Sequence, residues 1–372
     1  MNPALRLLCL STLLAIFGFA GVQPLAVTVM ERQGLGATAI GLLSALIFGG
    51  VLVLAPFQPA LVERFGAMRS YQAGKVLATL GFVGCAGATR PWMWAASLLL
   101  LGFGGALTWP LTDSLIATEA PPEKKGAWLA LFQAGMGLAF ALGPFVSAAL
   151  VAWPGAVFLG AAGVCGLSSL PLLGRHLPKP AEEDDDANLT VWRSAAGLAA
   201  VAFLGGLFEN GMHTVGTLVA LASGWSGAAS VALPGVIAVG AFVIQYPLGR
   251  VVDRRGTRGV LLLALAGLTI SLAALPLMGL WAPLLWGLGF LWGATDGCLY
   301  TLAMTGTAQN FPARQVASVT TLMVLSYTVG SVLGPVLGGC AVDTATPWGV
   351  VAVFGPLALL GWGVTLRQKA TR

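Results

Sequence analysis

The side chains best suited to chemistry in this sequence are a few polar groups that interrupt long apolar stretches. Glu209, Asn210 and His213 lie in one such stretch, Asp296 in another and Asp113 in a third. A helix would place Glu209 and His213, four residues apart, on one face. Burial in an apolar medium favours the neutral form of a carboxyl group, which allows proton uptake and release near physiological pH. The pattern predicts a pathway for protons or for a polar substrate.

Some of these groups also have a structural interpretation. Asp113 lies nearer one end of its stretch, where a hydrogen bond to a neighbouring helix would explain it, and His213 can be a packing residue. Gln23 and Gln245 are further candidates for the pathway. Hydrogen bonds and aromatic walls can also come from other side chains inside the apolar stretches, and these are Trp109, Gln133, Trp292 and Tyr300.

The composition requires membrane helices to carry these residues. Of 372 residues, 57% are hydrophobic and 9% are charged, whereas about 25% are charged in a soluble domain. Apolar runs long enough to cross a bilayer recur along the chain, and they do not alternate as barrel strands do. We predict an all-α membrane protein with twelve transmembrane spans, at residues 5–29, 38–61, 72–89, 92–118, 126–150, 153–174, 191–220, 228–249, 259–280, 283–307, 316–341 and 346–366.

One hydrophilic segment divides these spans into two sets of six. It contains two prolines and the acidic run 182–186, which is typical of a solvated linker. The sequence therefore predicts a six-helix bundle over residues 1–174, a cytoplasmic linker over 175–190 and a second six-helix bundle over 191–372.

The positive charges predict the orientation in an inner or plasma membrane. If the N-terminus is cytoplasmic, only Arg32 and Arg90 of the 19 lysines and arginines fall on the opposite side. Cytoplasmic loops are enriched in these residues. Both termini are therefore expected in the cytoplasm, and no lysine or arginine is expected in the middle of a span.

Two charged segments mark an internal duplication. Residues 249–258 read GRVVDRRGTR, and residues 59–69 read PALVERFGAMR. Gly143-Pro144 and Gly334-Pro335 repeat at a similar offset of about 190 residues. Parallel repeats of this kind are a transporter design, with the substrate site near the bilayer midplane between the halves.

With these features, the sequence resembles the major facilitator superfamily over essentially its whole length. The family's charged-loop signature is represented by Gly249, Asp253, Arg254, Gly256 and Arg258. The first copy departs from it, since Pro59 replaces the glycine and Glu63 the aspartate, while Arg64, Gly66 and Arg69 follow.

A second family signature concerns helix packing. It is represented in span 11 by Gly330, Gly334, Pro335, Gly338 and Gly339. Span 5, where exporters of the family carry it, has Gly143-Pro144 followed by Ser147-Ala148. This departure weakens the case for export.

The resemblance implies roles for these residues. The loop carboxylates would latch one conformation by capping a neighbouring helix, and Glu119 at the end of span 4 would pair with Arg64 or Arg69. Spans 1, 4, 7 and 10 would line the central cavity and would place Glu209, Asn210, His213, Asp296, Asp113 and Gln23 along the pathway.

We therefore expect a proton-coupled secondary transporter that exports a small neutral, cationic or amphipathic organic compound. The alternatives are an importer or uniporter of a neutral nutrient such as a sugar, and a membrane receptor without transport. We expect no enzymatic activity, cofactor, bound metal or nucleic-acid partner, because the sequence lacks a phosphate-binding glycine motif and a metal-ligand cluster. The expected partners are the substrate, protons and the lipid bilayer, and the expected state is a monomer.

Overall fold

The computed structural model describes residues 3–120, 124–175, 189–277 and 280–367. These ranges form α-helices and short connections, with no strand among them. The helices are α1 (Pro3–Arg32), α2 (Ala37–Leu54), α3 (Gln58–Phe65), α4 (Ala67–Gly87), α5 (Pro91–Glu119), α6 (Lys125–Ala149), α7 (Pro154–Ser169), α8 (Leu189–Ser194), α9 (Ala196–Ala222), α10 (Gly227–Ala274), α11 (Ala282–Asn310), α12 (Ala313–Ala345) and α13 (Trp348–Arg367).

The predicted twelve transmembrane helices in two six-helix bundles are confirmed. α2 and α3 form one span through a 3-10 turn at Ala55–Phe57, α10 forms two spans, and α8 is a short helix before α9. Most of the predicted linker, residues 176–188, lies outside the described residues, so the bounds of the two halves stay a prediction.

Most of the helices are apolar enough to span a membrane by composition alone. Within the described ranges, nine segments meet this condition. Three further helices of similar length, α4, α9 and α11, complete the two bundles. These three helices carry Lys75, Glu209 and Asp296, so the polar groups are concentrated where the apolar pattern is weakest.

The two charged segments have the same backbone conformation. Gly66 (φ 84°, ψ 153°) separates α3 from α4, and Gly256 (φ 69°, ψ 157°) kinks α10. A positive φ is readily adopted only by glycine. The predicted boundary between spans 8 and 9 is therefore a sharp kink at Gly256, with helix on both sides of it, and not an extended loop.

A second pair of glycines supports the duplication. Gly34 ends α1 and Gly224 ends α9, and both have a positive φ. Each turn closes with the same main-chain bond, from Leu35 to Met30 and from Trp225 to Ala220. Both pairs of glycines are 190 residues apart, so equivalent positions of the two halves fold alike.

The helices alternate between two ends of the molecule. We call the terminal end the one where α1 begins at Pro3 and α13 ends at Arg367. The distal end is the opposite one, where α1 and α9 finish and where α2 and α10 begin.

The two halves meet toward the distal end. A buried apolar cluster there combines residues of the first half, such as Val22 and Leu25, with Leu218 and Val231 of the second. The apolar cluster at the terminal end of the first half contains residues of that half only. Gln133 on α6 and Gln245 on α10 are exposed. The molecule is therefore closed at its distal end and opens toward its terminal end.

Candidate functional site

Glu209 belongs to a hydrogen-bond network between α9 and α12. Tyr327 Oη donates to Glu209 Oε2 at 2.9 Å. Asn210 Nδ2 donates to Ser331 Oγ at 2.9 Å and to Tyr327 Oη at 3.2 Å. We call Glu209, Asn210, Tyr327 and Ser331 the α9–α12 network. It fixes the carboxylate by a donor from another helix, which residue spacing along one helix cannot reveal.

Small residues bring α9 and α12 together at this point. A Cβ atom on Gly206 would overlap the main-chain carbonyl of Tyr327. Cβ atoms on Gly330 and Gly334 would overlap the carbonyls of Phe203 and Leu207. Small residues allow main chains of membrane helices to approach this closely. The glycines of the span-11 motif therefore position the network.

Asp296 lies on α11 and is 1% exposed. Neither of its carboxyl oxygens makes a hydrogen bond of good geometry with another described residue. The indole N–H of Trp292, one turn earlier, and the main-chain N–H of Gly297 lie beside the carboxyl group and interact with it only weakly. An ionised carboxylate without donors is costly to bury, whereas the protonated acid is less so. Asp296 is thus a buried acid suited to holding a proton.

His213 lies one turn beyond Glu209 on α9 and is half-buried. Its main-chain carbonyl accepts a bond from Thr217, but its imidazole has no bond to another described side chain. The expected shared helix face is present. The structure does not join His213 to the α9–α12 network.

The first half contributes polar groups of its own. Asp113 on α5 accepts a long bond of 3.5 Å from Gln133 Nε2 on α6. Gln23 on α1 is buried, and its Nε2 has no acceptor within the described part of the chain. The ring of Trp109 lies 6.2 Å from that of Phe140. Asp113 and Gln23 therefore belong to separate environments and not to one cluster.

Gln245 lies in the wall between α10 and α11, opposite the middle of α11. It donates to the Gly297 carbonyl at 3.0 Å and accepts from Thr301 Oγ1 at 3.3 Å. Gln245 also lines a cavity of about 310 Å³, and most of the side chains that line this cavity are polar. The cavity is lined by Gln245, Leu248, Gly249, Val252, Asp253, Thr301, Thr305 and Gln309.

The predicted gating residues are mostly exposed and are separate in this conformation. Asp253 and Glu63 make no side-chain hydrogen bond or ion pair to another described residue. Arg258 Nη2 donates to the Leu366 carbonyl at 2.8 Å, and the Arg64 guanidinium lies over the ring of Phe65. Arg254 is also exposed.

The predicted pairing of Glu119 is not formed here. Glu119 at the end of α5 has no ion pair with Arg64 or Arg69 in the described residues, and all three side chains are exposed. The pairing therefore stays a prediction for another conformation.

Lys75 corrects the expectation that no cation lies within a span. It lies eight residues into α4, about 12 Å along the helix, and is 1% exposed. Its Nζ donates to the Ser11 carbonyl at 2.9 Å and to Ser168 Oγ at 3.2 Å. Its position near the start of span 3 suggested a cytoplasmic side chain, but the packing of α1 and α7 on α4 buries it. The amine thus points into the first bundle.

Sequence reasoning also missed Tyr327, Ser331 and Asp343. Tyr327 and Ser331 lie in span 11 beside the glycine motif. The tyrosine within an apolar run is the feature of the sequence that could have indicated this site. Asp343 follows the predicted end of that span and binds across the two halves. In the described ranges, no three His, Cys, Asp or Glu side chains are grouped to hold a metal ion.

The two repeated six-helix bundles, which meet at one end, form a polytopic membrane architecture that is typical of transporters. The family model of the Major Facilitator Superfamily matches residues 8–335 and 235–370. The chain therefore belongs to this superfamily, whose transporters bind small-molecule substrates in a membrane. The predicted resemblance is confirmed.

Curated relatives agree with this assignment. The uncharacterized MFS-type transporter YfkF of Bacillus subtilis is 26% identical over 344 residues, covering 89% of this chain and 87% of its own. The uncharacterized MFS-type transporter YcaD of Salmonella dublin is 24% identical over 345 residues, covering 90% and 87%.

Solved structures share the fold at low sequence identity. The nucleoside transporter NupG has a TM-score of 0.80 and 13% identity, covering 99% of this chain and 100% of its own. An inward-facing, occupied bacterial homolog of the human lysosomal transporter Spinster has a TM-score of 0.76 and 15% identity, covering 98% and 96%. A mutant form of the peptide transporter POT has a TM-score of 0.74 and 16% identity, covering 97% and 92%.

Proposed function

We propose that this protein is a proton-coupled secondary transporter that exports a small organic compound by alternating access. The observation that carries the proposal is the pair of acids in the second half. Asp296 is buried and makes no hydrogen bond of good geometry with another described residue, and Glu209 is hydrogen-bonded by Tyr327. Acids inside membrane helices are functional candidates because they are costly to bury. Two acids in different environments can bind and release protons in different conformations of the transport cycle.

The acids also constrain the substrate class. Asp113, Glu209 and Asp296 lie within the helices, and Lys75 is directed into the first bundle by its bonds to Ser11 and Ser168. A phosphate or dicarboxylate would lack a fixed cationic partner of the kind that such groups require. A cationic, neutral or amphipathic compound fits better.

Aromatic side chains support the same choice. The ring centroids of Tyr300 and Tyr327 are 4.7 Å apart, and Tyr327 belongs to the α9–α12 network. Aromatic faces attract organic cations and pack against apolar groups. The substrate would therefore carry an apolar or aromatic portion together with a hydrogen-bond donor or a positive charge.

Import of a neutral nutrient is the second candidate. The glycine signature typical of exporters is incomplete after Gly143-Pro144, and this observation favours import. The structural relatives NupG and POT are named as nucleoside and peptide transporters. Accumulation of substrate inside vesicles, driven by an imposed proton gradient, would support import.

The proposed orientation places the terminal end in the cytoplasm. Apart from Lys75, which is buried within a span, all lysines and arginines except Arg32 and Arg90 are assigned to that side from the sequence, and Arg32 ends α1 at the distal end. This distribution agrees with the positive-inside rule. The cavity beside Gln245 would then open to the cytoplasm. We further propose that the protein acts as a monomer.

The decisive experiment begins with a substrate. A thermal-shift screen of the purified protein against metabolites and drugs at two pH values identifies binders, because binding to the folded state raises its stability. Proton flux driven by the identified compound is then measured in proteoliposomes with a pH-sensitive dye.

Glu209→Gln and Asp296→Asn are each expected to reduce proton-coupled flux on the order of tenfold or more, about 1.4 kcal/mol or more. Glu31→Gln is the matched control, because Glu31 is an exposed acid at the end of α1. Unchanged coupling in both variants would remove the acids from the mechanism. Ligand binding without any flux would instead favour a receptor.

A further inference from the structure

Asp343 lies near the end of α12, and its carboxylate bonds the other half of the molecule. Oδ1 accepts a hydrogen bond from the main-chain N–H of Ala37 at 3.0 Å, and Oδ2 accepts one from Thr38 at 2.8 Å. Ala37 and Thr38 are the first residues of α2. The carboxylate therefore joins the two six-helix bundles at the distal end.

The bonded N–H groups belong to a helix start without a cap of its own. Gly36 occupies the N-cap position of α2, and no side-chain bond caps the helix from there. The first N–H groups of a helix have no partner within the helix, and they favour a negative charge. Asp343 thus supplies from the second half the acceptors that α2 lacks.

Glycines allow the main chains to approach closely beside this contact. A Cβ atom on Gly339, one turn before Asp343, would overlap the Ala37 carbonyl. A Cβ atom on Gly41, one turn into α2, would overlap the Pro335 carbonyl. The contact therefore has a fixed geometry and forms only when the distal ends of α2 and α12 are pressed together.

We propose that Asp343 is a gating residue that holds the distal end closed during transport. Alternating access requires the two halves to separate at this end, and separation would break both hydrogen bonds together. The proposal rests on the proposed alternating-access function. It does not depend on the substrate or on the coupling ion.

The test measures the separation of the distal ends directly. Spin labels are attached through Thr89→Cys in the first half and Trp281→Cys in the second, both exposed near the distal end. The accessible native cysteines are removed by Cys9→Ala and Cys340→Ala. Pulsed electron paramagnetic resonance then gives the distribution of distances between the labels in nanodiscs.

Asp343→Ala is expected to shift the ratio of distal-closed to distal-open molecules toward the open form by roughly two- to fivefold, the effect of an anion at a helix start. Asp343→Asn keeps one oxygen acceptor and is expected to have a smaller effect. An unchanged distance distribution in the alanine variant would overturn the proposal.

Glu31→Gln is the control, since Glu31 is an exposed acid at the same end with no side-chain bond to a described residue. An equal shift in this control would show that the effect comes from the loss of a negative charge at the distal end and not from the loss of the Asp343 hydrogen bonds. That result would also contradict the proposed gate. The measurement needs neither substrate nor proton gradient. If Asp343→Ala shifts the distances but the protein shows no proton-coupled flux, the proposed coupling is contradicted and the proposed gate is supported. If flux is proton-coupled but the distances are unchanged, the coupling is supported and the gate is contradicted.

Discussion

At the residue scale, the central observation is that the two acids of the second half have different partners. Glu209 accepts a hydrogen bond of 2.9 Å from a hydroxyl group on another helix. Asp296 makes no hydrogen bond of good geometry with another described residue, and only the Trp292 indole and nearby main-chain N–H groups lie beside it. The two carboxyl groups therefore have different hydrogen-bonding environments in the same conformation.

Tyr327 offers a specific test of this difference. Tyr327→Phe removes the hydroxyl that donates to Glu209 and accepts from Asn210, while the ring that packs on Tyr300 is kept. We expect the pH at which proton-coupled flux is half-maximal to rise, because Glu209 loses a bond that favours its ionised form. The measurement is the pH profile of flux in proteoliposomes.

Ser331→Ala is the matched control for Tyr327. It removes a hydroxyl from the same network that bonds Asn210 but not Glu209. Its pH profile should stay close to that of the unmodified protein. A profile unchanged in Tyr327→Phe would show that the hydroxyl does not set the protonation of Glu209.

At the element scale, α12 carries residues of two sites. Tyr327 contacts the acid of α9, and Asp343 caps α2 sixteen residues further along. Gly330, Gly334 and Gly339 lie between them, and each meets the main chain of another helix. Both sites therefore depend on the close packing of α12 against helices of the two halves.

Gly330→Ala tests the packing of α12 on α9. The added methyl group would overlap the Phe203 carbonyl, so we expect a loss of about 1 to 3 kcal/mol of stability. Gly355→Ala on α13 is the control, because a Cβ atom there meets nothing within 4 Å. Thermal unfolding in detergent should show a lower midpoint for the first variant only. Equal midpoints for the two variants would mean that α12 and α9 move apart to accommodate the added methyl group without a loss of stability.

At the scale of the whole molecule, the two ends are in different states. The distal end is closed by Asp343 and by a shared apolar cluster. At the terminal end, Asp253 and Glu63 are exposed and have no partner in the described ranges. A latch formed by these residues would act in the opposite conformation.

Asp253→Asn and Glu63→Gln test the terminal latch. We expect both variants to slow transport severalfold while substrate affinity is nearly kept, because they remove a contact of the terminal-closed state only. Transport rates at saturating substrate and equilibrium binding are compared for each variant. A large loss of affinity would argue against the latch.

The sequence by itself determined the membrane class, the twelve spans, the duplication and the family. These follow from local properties of the chain: the length of its apolar runs, the distribution of its positive charges, and motifs such as Gly143-Pro144 and Gly334-Pro335 that recur about 190 residues apart. It also offered Glu209 and Asp296 as candidate site residues, because an acid within an apolar run is visible in the sequence itself.

Only the tertiary structure decided which groups meet. Tyr327 reaches Glu209, and Asp343 reaches Ala37, across more than a hundred residues of sequence. Lys75 is buried by helices that are distant in the chain. Spacing along one helix determines which face a residue lies on, but its hydrogen-bond partner depends on how helices pack. For this reason the acids were predicted, and the distal gate and the buried lysine were not.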